Sequence, residues 1–357
     1  MICKQHNPWS AVLLALTLAA CSNSSDNNAG DEFAGADTLR AAAEQRDFFI
    51  GTAFVEGSQD ARFGDTAAAH FNSLTIPLYA SQTHPAPDSY NFTVADQAVA
   101  LAQHAGMRMR GHPLIWGRLA LPDYVSNETD PTVLERWMRD HISTLMSRYR
   151  GKFSQVDVVN EPLSLLALPG QSEVPLANDV FSRLLGKDFI RIAFEAARAA
   201  DPNALLFINE IFAEAPGAKA DALYHLVEEL ISEGTPIDGV GFQGHMQLLP
   251  GMQANTREAL QETLTRFAAL GVIVELTEVD VTQREGDAVP QETVYRDAVS
   301  ACLDVVMCTG MTVWGISDAY TWVEGIIGVP NPRPLLFDED FAPKPAYDAV
   351  LDTLLSN

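Results

Sequence analysis

Short apolar runs alternate with longer amphipathic stretches along most of the chain. The runs are FFIGTAF from 48, FNSLTI from 71, MRMRGHPLIW from 107 and SQVDVVNE from 154. LLFINEI from 205, GVGFQGHM from 239, GVIVELTEVDV from 271 and GMTVWGI from 310 complete the set. Each has the length and apolar content of a buried strand. Between them, VADQAVALAQHAG, LERWMRDHISTLMSRYR, ADALYHLVEELISEG and REALQETLTRFAALG place apolar residues three and four apart, the spacing of a helix that buries one face. Four stretches close on a glycine, Gly106, Gly151, Gly234 and Gly271, a common helix stop. Strand signals alternating with helices predict an α/β fold with a parallel sheet, closed as a (β/α)₈ TIM barrel in one domain. An open doubly wound sheet gives the same alternation, so periodicity alone does not separate the two.

The pattern breaks down before residue 39. Residues 11–20 read AVLLALTLAA and are followed at once by Cys21. Ten apolar residues are too few for a permanent membrane span but fit the core of a signal peptide. Small residues directly before a cysteine resemble a lipobox, so 1–20 is expected to be a lipoprotein signal peptide with Cys21 as the lipidation site. Ser22 in the next position favours the outer membrane, with the domain periplasmic or at the cell surface. Residues 21–38 are small, polar and acidic, the composition of a flexible tether. Residues 39–357 are then expected to form the barrel domain, with no second linker of this kind.

Charge and cysteines narrow the partners. The formal net charge of −24 leaves no basic face for nucleic acid. Membrane contact is expected only through the N-terminal lipid, and a monomer is expected. Once Cys3 is removed with the leader and Cys21 is lipidated, Cys302 and Cys308 remain. In an oxidising compartment they are expected to form a local disulfide, with two buried free thiols as the alternative.

Polar groups gather where the apolar runs finish: His112 and Trp116, Asn160 and Glu161, Asn209 and Glu210, Gln243 and His245, Glu278 and Asp280, and Trp314. In a parallel barrel, active-site groups sit at these carboxyl ends. Two carboxylates on different strands are what glycoside hydrolysis requires, one to protonate the leaving oxygen and one to attack the anomeric carbon. Glu161 precedes Pro162 as the chain leaves its strand. Glu278 shares its alternation class with Val274, Leu276 and Asp280. Glu275 has the opposite parity and is expected to point away from the barrel centre, which removes it as a nucleophile.

DVVNEP (157–162), QGH (243–245), LTEVDV (276–281), TVWGISDAYTW (312–322) and PLLFDEDFAPKPAY (334–347) resemble glycoside hydrolase family 10, the endo-β-1,4-xylanases. RGHPLIW (110–116) and FINE (207–210) resemble two further strand ends of that family. The resemblance implies a (β/α)₈ barrel and hydrolysis of β-1,4-xylan with retention. It also implies Glu161 as acid/base, Glu278 as nucleophile and Asn160 on the sugar's 2-hydroxyl. His245 and Asp280 match the network that orients the nucleophile, and Gln243, His245, His112, Trp116 and Trp322 match substrate-binding residues around the scissile bond. The Cys302–Cys308 pair resembles a disulfide found in many members.

Three departures stand out. The family's E-N-x-M-K-W stretch after the second strand, which holds sugars on the non-reducing side, is replaced by TIPLYASQTHPAPDSYNF (75–92). The histidine after the third-strand tryptophan is Gly117, and the tryptophan before DVVNE is Val156. A retained centre with a rebuilt wall implies the same chemistry on a substituted xylan, another β-glycan or a glycoside as the alternative to plain xylan. A reading of another class is a non-catalytic, glycan-binding surface lipoprotein.

No cofactor and no metal are expected. Gly239, Gly241 and Gly244 fit G-x-G-x-x-G, but HMQLLPGMQ comes next instead of the helix a dinucleotide site needs. No H-E-x-x-H or G-x-S-x-G occurs.

Overall fold

The computed structural model describes residues 36–55, 57–165, 174–249, 252 and 254–356. The expected signal peptide, Cys21 and most of the expected tether lie outside them.

Eight strands close into a barrel: β1 (Phe49–Ala53), β2 (Ser73–Pro77), β3 (Arg108–His112), β4 (Gln155–Asn160), β5 (Leu205–Glu210), β6 (Gly239–Phe242), β7 (Ile273–Val281) and β8 (Cys308–Val313). Every neighbouring pair is parallel, and β8 returns to β1 through Phe49 opposite Gly310. Closure through the β8–β1 pairing rules out the open sheet that periodicity left possible. A two-residue segment, His245–Met246, continues beyond β6 and pairs with the end of β7, His245 opposite Asp280.

The helices cover the outside because each is apolar on one face. Pro131–Arg148 buries Leu134, Met138, Ile142, Leu145 and Met146, positions three and four apart, and Asp130 caps its first turn through Thr132 N–H. Asp188–Ala200 packs beside it with Phe189, Ile190, Ala193, Phe194 and Ala197 inward. A helix beginning at Leu39 is capped by Thr38, whose side chain accepts from Ala41 N–H. Cys302 and Cys308 are joined as a disulfide that ties the end of the helix Gln291–Leu303 to the start of β8.

The barrel interior is polar in its middle layer. Arg110 on β3 is fully buried and reaches both Asp157 and Glu275, with Glu275 Oε2 at 2.9 Å. Its Nη1 also donates to Gln155 Oε1 at 3.1 Å. Burial opposes the Arg110 charge, yet the two carboxylates outweigh that cost and its pKa is raised. Asp157 is held ionised by Arg110 and His112 against its own burial.

This layer corrects one expectation. Glu275 does not point away from the barrel. It faces inward, where Arg110, Arg108 at 3.3 Å and Gln155 at 2.7 Å surround it. Strict alternation would then turn Glu278 outward, but β7 carries one extra residue against β8 between Leu276, opposite Met311, and Val279, opposite Val313. Such irregularities insert residues without breaking the strand and re-aim the side chains beyond them. Glu275 and Glu278 therefore both face the interior, at different depths, and the arginines neutralise Glu275.

The glycines of 239–244 also find their reason here. A Cβ on Gly239 would lie 2.3 Å from the Phe207 ring, and one on Gly241 would lie 2.3 Å from Asn209 Oδ1. Gly244 turns at φ +76, where a side chain is strained. They are spacers inside a crowded barrel.

Candidate active site

The carboxyl ends of β4 to β7 converge on two buried glutamates. Glu161 comes directly after β4 and has φ +52, a left-handed conformation uncommon for a residue with a side chain. Its backbone N–H donates to Asn209 O at 2.8 Å, which fixes the turn. The reversal of φ breaks the alternation of β4, so Asn160 and Glu161 can both face the cleft. Strain of this kind at a strand end is a common mark of a functional residue.

A continuous hydrogen-bonded bridge links the two glutamates. Gln243 Nε2 donates to Glu161 Oε1 at 3.0 Å and to Asn160 Oδ1 at 3.3 Å. Asn209 Nδ2 donates to Asn160 Oδ1 at 2.8 Å and to Glu278 Oε1 at 2.7 Å. Asn209 is itself oriented by Thr277, whose hydroxyl donates to Oδ1 at 2.6 Å. Both carboxylates are thus set by amides from neighbouring strands. Their positions follow from the barrel and do not depend on a mobile loop.

Glu278 is also supported from the opposite side. His245 Nε2 lies 3.4 Å from Glu278 Oε2, and His245 Nδ1 lies 2.9 Å from Asp280. Burial works against a charge on His245, but the Asp280 and Glu278 carboxylates overcome it and push its pKa up to about 10. A cationic imidazolium therefore sits between two carboxylates. Trp322 completes the support: its indole N–H donates to Asp280 Oδ2 at 2.7 Å and its ring packs 4.7 Å from His245. His112 Nε2 approaches Glu278 Oε1 at 3.8 Å while Nδ1 meets Asp157 at 2.9 Å. Trp314 packs edge-on against His112 with ring centres 5.1 Å apart.

Glu210 lies behind Glu161. It accepts Leu163 N–H and Ile211 N–H and pairs with Lys219 at 3.0 Å. Burial, and then the proximity of Glu161, outweigh Lys219 and raise its pKa to about 7. It braces the turn that carries Glu161.

His112, Asn160, Glu161, Gln243, His245, Glu278 and Asp280 come together as the strand-end pattern suggests, and Trp322, expected from the family resemblance, joins them. Trp116 joins them through Tyr79, whose ring is 6.0 Å from Trp116 and 5.9 Å from His112. Four participants had no legible role in the sequence: Tyr79, Asn209 as the bridge, Arg118, whose Nη2 lies 3.3 Å from Glu161 Oε2, and Asp179. Asp179 explains Gly117. A Cβ at position 117 would lie 2.1 Å from the Asp179 carboxyl oxygen, so that carboxylate occupies the space beside the third-strand tryptophan. Only the amide beside Asn160 had a visible signal, the N-E pair repeated at the ends of β4 and β5. Among the described residues, no group of three histidine, cysteine, aspartate or glutamate side chains is arranged to hold a metal ion.

The family model for glycosyl hydrolase family 10 matches residues 38–353. The chain belongs to that family. Endo-1,4-beta-xylanase 3 of Hypocrea jecorina is 40% identical over 265 residues, covering 74% of this chain and 69% of the relative. The endo-1,4-beta-xylanase of Agaricus bisporus is 35% identical over 304 residues, covering 82% and 85%. Xylanase 10B of Thermotoga petrophila RKU-1, solved with xylobiose, superposes with a TM-score of 0.80 at 31% identity, covering 89% of this chain and 97% of that one. A xylanase 10C variant from Cellvibrio japonicus, solved with xylopentaose, gives 0.80 at 29%, covering 90% and 69%. The family 10 chain is a glycoside hydrolase, and the reading as a non-catalytic binder finds no support.

Proposed function

We propose that this family 10 enzyme hydrolyses β-1,4-linked xylan with retention, Glu161 acting as acid/base and Glu278 as nucleophile. The observation that carries the assignment is the amide bridge from Glu161 through Gln243, Asn160 and Asn209 to Glu278, with His245 and Asp280 behind the second glutamate. In the first step Glu161 gives its proton to the glycosidic oxygen as Glu278 attacks the anomeric carbon, breaking the C–O bond and forming a glycosyl ester. In the second step Glu161 takes a proton from water, which displaces Glu278 and yields the hemiacetal. Asn160 binds the 2-hydroxyl in this scheme. Gln243 and His112 border the same space, and the rings of Trp116 and Trp322 offer flat surfaces to sugar C–H bonds.

The xylanase names of the relatives, and the xylo-oligosaccharides in two of the solved structures, support xylan as the substrate. The stretch 75–92 supports a decorated xylan as a second reading, because it carries no lysine and offers Tyr79 beside His112 and Trp116. The leader and Cys21 support export as an outer-membrane lipoprotein, with 21–38 as tether and a monomeric domain from 39 to 357. Hydrolysis of plain and decorated xylans, monitored by NMR of the newly formed anomer, tests the function. The β-anomer should form first. Appearance of the α-anomer first would remove the double displacement.

A further inference from the structure

We propose that a pocket on the outer side of the rebuilt wall is a second glycan site, which holds a neutral sugar unit of a xylan chain apart from the cleft where the chain is cut. The choice of xylan rests on the proposed function, whereas the preference for a neutral sugar rests on the pocket's own residues.

The pocket, about 440 Å³, lies between residues 84–90, the short helix Asp123–Ser126 and the helix Pro131–Arg148. Its volume suits a small ligand, and no residue of the active site lines it. Its wall is aromatic. Tyr90 stacks on His84 with ring centres 4.1 Å apart and 19° between planes, and Trp137 lies nearly parallel to His84 at 5.7 Å and 14°. Tyr124 stands edge-on to His84 at 5.8 Å. Tyr90, Tyr124 and Trp137 line the pocket and are only partly buried, so ring surface is open to a ligand.

Two donors of this wall are already used. Trp137 Nε1–H donates to Tyr124 Oη at 3.0 Å, and the Tyr124 hydroxyl donates to His84 O at 3.1 Å. The rim offers acceptors: the exposed carboxylates of Asp88 and Asp140, and Glu128. Glu128 Oε1 accepts Thr129 N–H at 2.7 Å and Asp130 N–H at 2.9 Å, which fixes the side chain and leaves Oε2 for a ligand. No lysine or arginine lines the pocket. Burial lowers the pKa of His84 against the pull of Asp88, so that ring adds no cation near neutral pH.

Flat rings bordered by acceptors call for a ligand with apolar C–H faces and many donors, which is a pyranose with its hydroxyls. A uronate, phosphate or sulfate would meet three carboxylates and no cation, so the sugar is neutral. The position gives the site a use. Residues 75–92 carry Tyr79 beside His112 and Trp116, and also His84 and Tyr90 in the pocket, so one segment serves both places. A polymer held at the pocket is concentrated at the cleft, as with any pair of linked sites. A substrate too short to occupy both gains nothing.

Retention of Glu278→Gln in native gels containing neutral xylan gives a dissociation constant without hydrolysis. Tyr90→Ala removes a ring face, and Asp140→Ala removes an exposed carboxylate without touching the core. Each, added to Glu278→Gln, should raise that constant about fivefold, the size of one ring contact or one hydrogen bond. With Glu278 in place, both should leave kcat/KM on an aryl xylobioside unchanged. Retention equal to that of Glu278→Gln alone in both variants would overturn the inference. An equal loss on the aryl xylobioside in Asp140→Ala would do the same, because the effect would then pass through the cleft. Calorimetric binding of choline that Tyr90→Ala abolishes, with xylan retention unchanged, would make the pocket an ammonium site and overturn the sugar. Failure of the wild type to cleave the aryl xylobioside would strike the glycosidase reading instead, while gel retention still decides on the pocket.

Discussion

Replacing His245 by asparagine should abolish a loss of stability that the wild-type domain undergoes in mild alkali. In the folded protein His245 is buried between Asp280 at 2.9 Å and Glu278 at 3.4 Å, which push its pKa up to about 10 from 6.5. A group raised on folding contributes stability that is fully present below its unfolded value and is lost as pH rises through the folded one. From about pH 7 to about pH 9.5 the folded domain gives up a little over two pK units of this linkage, about 3 kcal/mol at 1.36 kcal/mol per unit. The substituted amide cannot bind that proton, so the stability of the variant should vary less over the interval. Urea unfolding monitored by tryptophan fluorescence at the two pH values measures both slopes. The gap between wild type and His245→Asn should narrow by about 3 kcal/mol in alkali. Parallel curves with a constant gap would mean that His245 is not cationic in the folded state, and the support assigned to Glu278 would be wrong.

Other expectations concern the catalytic acid, the buried arginine and the disulfide. Glu161→Ala should cost about 10²–10⁴-fold in kcat on xylan, where general acid catalysis is needed, and far less on an aryl glycoside whose leaving group needs no proton. A uniform loss on both would contradict its role. Arg110→Met should leave Asp157 and Glu275 buried without their cation and destabilise the domain by about 3–5 kcal/mol, measured by urea unfolding. A change below about 1 kcal/mol would show that the interior layer tolerates its loss. Opening the six-residue Cys302–Cys308 separation by the double change Cys302→Ala and Cys308→Ala should cost only about 2 kcal/mol, because a short loop restrains the unfolded chain little. Thermal unfolding should report that shift, with activity retained at ordinary temperature.

The barrel was legible because its strands are apolar runs and its helices carry a regular buried face. The site was legible because the polar residues stand where those runs stop. Glu275 shows where the reading fails: parity holds only while a strand keeps register, and β7 takes in one extra residue between Leu276 and Val279. Nothing in the local residue pattern marks such an insertion, since it depends on how β7 meets β8. Arg118, Tyr79 and Asp179 lie in loops without periodicity, so their approach to Glu161, Trp116 and Gly117 comes only from tertiary packing. Gly117 could be seen as a departure from the family, but its cause, a carboxylate from the cap of the helix Val180–Leu185, could not.

The central claim is that Glu278 attacks the sugar. A 2-deoxy-2-fluoro-xylobioside with an activated leaving group slows the second step and should leave the glycosyl ester in place. Proteolysis and mass spectrometry of the inactivated enzyme should then find the added disaccharide on the peptide containing Glu278, and none in the Glu278→Gln variant. A label on Glu161 or Glu275, or turnover of substrate with no labelled peptide at all, would contradict the account.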